Sequence, residues 1–274
     1  MTGTISKFAT VQQIEKLDYP THPFFPDLCA SIATMPKGFR DLALEGAVST
    51  QMLHILERMS KFVTHVDRVH QRVATMQEVY FLLLYKPHLV VQDAYICLEA
   101  WRRGGGSGIE PALCFGLIAF SWSVMGQGRI SPTYWELVQN LVNSIEQPEP
   151  LEHENECLTW LSMVAAAHCQ GNEALSAQAD RILDRLMERQ AHAKEWASLQ
   201  AVLRKFFWHT PVAAEWERCW KAAIVRQSRS ASEDWETLSP MTSNSDSFGH
   251  SPRSEISRTI ALRCQSEEDC VAVS

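Results

Sequence analysis

From Met52 to Ile224 the apolar residues recur at i, i+3, i+4 and i+7, and no stretch of useful length alternates apolar with polar residues. That period is one face of an α-helix, and a chain carrying little else builds its core from helices rather than sheets. Met52, Ile55, Leu56, Met59, Phe62, Val63 and Val66 form the first stripe, with Ser49 placed to cap its N-terminus. The stripe continues through Val69, Val73, Met76, Tyr80 and Leu84 without Gly or Pro until Pro87. One long helix, or two with a kink near Thr64 to Arg68, both satisfy it.

Further stripes follow, punctuated by residues that start or stop helices. Val91, Ala94, Tyr95, Leu98 and Trp101 run up to Gly104-Gly105-Gly106-Ser107-Gly108. Pro111 opens an uncharged segment, and Pro132, behind Ser131, opens the stripe Trp135, Val138, Leu141, Val142 and Ile145. Leu158 to Ala165 is apolar on most sides, and Gly171-Asn172 marks a turn before Leu175, Ala179, Ile182, Leu183 and Leu186. Trp196 to Phe206 and Ala213 to Ile224 complete the set, with Trp196, Phe206 and Trp220 expected as buried anchors. Short connections between such helices predict an all-α, multi-helix bundle of antiparallel helices.

Three regions are expected. Residues 1–35 read as an irregular segment, because Tyr19-Pro20, His22-Pro23 and Phe25-Pro26 hold the preceding residues out of the helical basin; Phe24 and Phe25 are candidate extended anchors. Residues 36–226 read as one helical domain. Residues 227–274, rich in Ser, Asp and Glu and poor in long aliphatic side chains, read as a disordered tail. Within it Ser239 and Ser251 each precede proline and are candidate phosphorylation sites.

Charge narrows the function. The chain has a formal net charge of -7 and no dense Lys/Arg stripe, so direct DNA binding is not expected, whereas a protein partner is compatible. Met1 to Phe8 is polar and shows no signal peptide, so the eight cysteines are expected to be reduced, most of them in the core. Ala112 to Met125 is nearly all apolar but shorter than the roughly 20 residues a spanning helix needs. It reads as the central buried helix, with no membrane contact.

Candidate chemistry is sparse. The glycine run is not followed by the Lys and Ser/Thr of a phosphate loop, and a helix rather than a strand precedes it, so it reads as a connector. His153 and Cys157 lie four residues apart and His168-Cys169 lies beyond, but no Cys-x-x-Cys pair exists, and His65 and His70 do not share a helical face. No serine-hydrolase, zinc-protease or cysteine-nucleophile signature is present. No catalytic residue, cofactor or metal is therefore expected.

Two stretches carry a family likeness. Met35-Pro36-Lys37-Gly38-Phe39-Arg40-Asp41-Leu42-Ala43-Leu44-Glu45-Gly46-Ala47-Val48-Ser49 resembles the entry segment of the fungal-specific transcription factor domain, the regulatory region of zinc binuclear cluster factors. Trp196, Leu203, Phe206 and Trp208 resemble that family's closing Trp…Leu-x-x-Phe-x-Trp, and Leu113 to Phe120 and Cys157 to Ala166 its central helices. The resemblance implies a helical regulatory domain in the nucleus, with the cytoplasm as the alternative, contacting a transcription factor, a coregulator or a second copy. Gly38 and Gly46 are expected at turns and the tryptophans in packing. The family's cluster needs six cysteines with two Cys-x-x-Cys pairs beside a basic segment, and this sequence lacks both. A helical scaffold or adaptor, or a truncated relative that has lost its function, are the alternatives.

Overall fold

The computed structural model of the chain describes residues 16–77, 88–104, 108–126, 132–146, 151–170 and 172–238. Among these the regular structure is entirely helical: α1 (Pro26–Ala33), α2 (Lys37–Leu44), α3 (Thr50–His70), α4 (His88–Gly104), α5 (Glu110–Val124), α6 (Pro132–Ile145), α7 (Asn155–Gln170), α8 (Glu173–Arg189), α9 (Trp196–Leu203) and α10 (Thr210–Leu238), with single 3₁₀ turns at Glu152–Glu154 and Ala191–Lys194. The chain is an all-α bundle.

The centre of the bundle is α5. Nearly every residue from Glu110 to Ser121 is buried, and α3, α4, α6 and α7 pack around it. A helix apolar on every side has no solvent face, so it is wrapped by neighbours. Gly116 lets one of them come close: a Cβ there would lie 2.2 Å from a methyl carbon of Leu161 on α7. Against α7 the chain next folds α8, whose buried face is Ala179, Ile182, Leu183, Leu186 and Met187. No described helix is long and apolar enough to cross a membrane.

Helix ends follow local chemistry. Ser49 caps α3 as expected, its Oγ accepting from the Met52 N–H at 3.2 Å. Asn172 caps α8 in the same way through Ala174 N–H at 2.9 Å. Gly46, with φ of 69°, terminates α2: its N–H bonds the Ala43 carbonyl and the Ala47 N–H bonds that of Leu42, the paired closure that favours a left-handed residue. The same pairing ends α3, with Arg72 at φ 56° where glycine is usual. The long stripe is thus broken after His70, a few residues beyond the expected kink, and Val73 and Met76 are exposed rather than part of a continuing face. Tyr80 and Leu84 lie outside the described residues.

Two boundaries move. The first 35 residues are not wholly irregular: Pro26 sits at the start of α1, where its fixed φ suits a helix, and Phe25 before it is extended. Leu17 is buried and Phe24 packs on the core, whereas Phe25 is 84% exposed and anchors nothing. At the other end α10 continues through Leu238, so disorder does not begin at Gln227. No Gly or Pro interrupts the helix before Pro240. Arg226 and Gln227 are also tied to Asp184 of α8, at 2.8 and 3.0 Å. Composition alone missed those anchors. One compact unit extends to Ser232 and a second begins at Glu233. Residues 1–15 and 239–274, with Ser239 and Ser251, lie outside the described residues.

Candidate functional site

The two stretches that carry the resemblance meet. Phe39 of α2 lies 5.1 Å from Phe206 and 4.7 Å from Phe207, ring centre to ring centre, and 5.7 Å from Trp160 of α7. All four side chains are buried. The Trp160 indole N–H donates to the Phe207 carbonyl at 3.1 Å, and the Gly38 N–H donates to the Lys205 carbonyl at 2.7 Å. Such edge-to-face and offset pairs add to the stabilisation from burial alone. Gly38 is therefore not at a turn, as the sequence suggested, but in the first turn of α2. A Cβ there would stand 2.5 Å from the Phe206 ring. The tryptophans divide unevenly. Trp160 and Trp216 are fully buried, whereas Trp196 and Trp220 pair at 5.7 Å at the edge of the core, only partly covered.

A buried carboxylate fastens the N-terminal segment. Glu110, completely inaccessible, accepts the Ser49 N–H at 2.6 Å and the Tyr19 hydroxyl. It stands in the first turn of α5, at the positive end of the helix dipole. Asp18 reinforces the contact by accepting the Thr50 hydroxyl at 3.0 Å, and its carbonyl accepts the Thr50 N–H at 2.7 Å. The sequence held one signal for this hub, an acidic residue beside Pro111 at a helix start.

Three other polar arrangements bear on chemistry. Buried His168 of α7 has its Nε2 2.9 Å from Ser123 Oγ and its Nδ1 on the Tyr134 hydroxyl. A serine on a histidine suggests a nucleophile, but Ser123 lies in the last turn of α5. Negative charge growing on an attacked carbonyl would face the negative end of that helix. The trio is a hydrogen-bonded core contact. A cleft of about 50 Å³ opens between α6, α7 and α8, bordered by Glu146, Ser162, Arg185 and Arg189. It falls far short of the roughly 300–1,000 Å³ of a cofactor pocket. Finally, buried His209 bonds Asp67 Oδ1 through Nδ1 at 2.7 Å and meets the His70 ring.

The cysteines behave as small hydrophobes. The six described ones are free thiols, five of them buried and Cys29 exposed. Burial pushes the Cys114 and Cys157 thiols well above the ordinary value and lifts Cys169 to about 12. His168, Cys157 and Cys169 do not assemble into a metal centre, and no group of three or more ligating side chains occurs among the described residues. No family model matches the chain, and no curated protein or solved structure matches it.

Proposed function

We propose that this chain is a transcription-regulator-like protein that acts through protein–protein contacts and carries no DNA-binding module of its own. One observation carries the reading. The two stretches resembling the ends of the fungal transcription factor domain, far apart in sequence, pack on each other through Gly38, Phe39, Phe206 and Phe207. Both stretches supply core packing, which is the role the resemblance implies for them. The acidic charge supports the second half of the reading, because binding to the phosphate backbone rests on clustered cations. The partner is a transcription factor or coregulator that brings the chain to DNA, and the site of action is the nucleus. Ser239 and Ser251, if phosphorylated, would add charge that recruits or releases that partner.

Tethering residues 36–274 to an unrelated DNA-binding domain in a fungal reporter strain tests this. Reporter output is expected to change, while the purified chain gives no salt-sensitive, sequence-preferring shift of duplex DNA. An unchanged reporter together with cytoplasmic residence of the native protein would favour a helical adaptor instead.

A further inference from the structure

We propose that the cleft between α6, α7 and α8 is a docking point for a short acidic segment of a partner protein, which places one branched aliphatic side chain in the cleft and a neighbouring carboxylate on Arg189. The inference rests on the reading of this chain as one that acts through protein–protein contacts. The cleft is apolar inside: Ile182 and Leu186 of α8, both buried, line it with Ile145 of α6 and Leu158 of α7, both half-buried. At roughly 10–15 Å³ for each water-sized group, its volume of about 50 Å³ takes three or four such groups. That matches the branched end of a valine or leucine side chain.

The rim sets the sign of the occupant's charge. Glu146 engages Arg185 at 3.0 Å. Arg189, one turn further along α8 and exposed, makes no ion pair or hydrogen bond among the described residues, and neither do the side chains of Asn155 and Ser162 on α7. Two carboxylates near the start of α7 are engaged elsewhere. Glu156 pairs with Lys205, and buried Glu154 accepts the Leu151 N–H at 3.2 Å. The rim therefore offers a guanidinium, a hydroxyl and an amide around an apolar interior. A carboxylate is attracted to that guanidinium, and a further cation is repelled. An exposed ion pair adds little energy on its own, so the desolvated aliphatic anchor supplies affinity and Arg189 supplies selectivity. Such a division, an apolar anchor in a pocket with arginine at its edge, is common in protein–protein interfaces.

The test applies the labelled full chain to an array of pentapeptides whose central residue is valine, leucine, alanine or tryptophan, flanked by Asp and Glu, by Ser and Gly, or by Lys. Acidic peptides centred on valine or leucine are expected to bind best, with affinity that falls as salt rises. Measured by fluorescence polarisation, Arg189→Glu is expected to weaken them about tenfold or more, and Arg189→Lys to retain most of the affinity. Ser162→Leu, which puts a side chain into the cleft, is expected to abolish binding, with the circular dichroism of the parent. No preference for acidic over Lys-flanked peptides, or unchanged affinity in Arg189→Glu, would overturn the assignment. So would isovalerate binding as tightly as the peptides, which makes this a small-molecule site. Self-association of the parent that Arg189→Glu abolishes would overturn it too, as an interface between copies. If the peptides fail while the tethered reporter still responds, the docking point falls and the regulator reading stands; peptides that bind beside a silent reporter support the docking point and count against transcription.

Discussion

One methyl group separates tolerance from damage at residue 38. Alanine there would place its Cβ 2.5 Å from the Phe206 ring, which Phe39 and Trp160 hold from the other sides. Overpacking of that kind costs about 1–3 kcal/mol, so Gly38→Ala should lower the urea midpoint with an unchanged slope. The opposite sign is expected at Arg72. This exposed residue sits at φ 56°, where a side chain is strained and glycine is not. Arg72→Gly should stabilise by about 0.5–1 kcal/mol in the same titration. Thiol reactivity gives a further check. Cys29 should be alkylated quickly in the native protein, and Cys97, Cys114, Cys157, Cys169 and Cys219 only after denaturation, as peptide mass spectrometry would report. The sequence showed most of the cysteines to be core material because they sit in apolar stripes, and Cys29 is the described one that is not. It could not show that Gly38 faces a ring, because that contact joins residues distant in the chain. The burial of Glu110 was hidden for the same reason.

At the scale of helices, one carboxylate helps tie α1 to α3, beside the Ser60 hydroxyl on the Thr34 carbonyl and the burial of Ile32. Glu57 accepts the Ser31 hydroxyl at 2.9 Å and pairs with Lys61 at 2.7 Å. The Lys61 ammonium, bonded to it, is the main cause that holds the Glu57 carboxyl below its usual range, with Ser31 adding to it against the opposing effect of burial. A lowered folded-state value means the unfolded chain binds the proton first. The contribution to stability is therefore complete above the ordinary glutamate range and disappears as pH falls through the folded-state value. Glu57→Gln should consequently flatten the acid limb of the stability profile relative to the parent, measured by denaturation across a pH series. Much of the element plan was legible: Ser49 as a cap, proline at helix starts, and the separation of the stripes that form α4 and α5. The end of α3 was not, since an arginine occupies the left-handed position where glycine is the readable sign. Nor was the reach of α10 to Leu238, because polar composition conceals the contacts of Arg226 and Gln227 with α8.

For the whole molecule, α5 and the aromatic core around Trp160 divide the task of holding the bundle together. The central helix gathers α3, α4, α6 and α7, while Phe39, Phe206 and Phe207 join the beginning of the domain to its later part. A partner-binding role requires such closure, since a surface presented to another protein is only as defined as the core beneath it. The all-helical class was readable from periodicity. The closure was readable only as two separate likenesses, and its geometry comes from the three-dimensional contact. The most direct test is Trp160→Ala, followed by far-ultraviolet circular dichroism and tryptophan fluorescence through one denaturant titration, beside the parent. The parent should unfold in a single transition seen identically by both probes, and the variant should do so about 3–5 kcal/mol earlier. Loss of only part of the helical signal at the early transition, or a variant as stable as the parent, would contradict a single core closed by these residues.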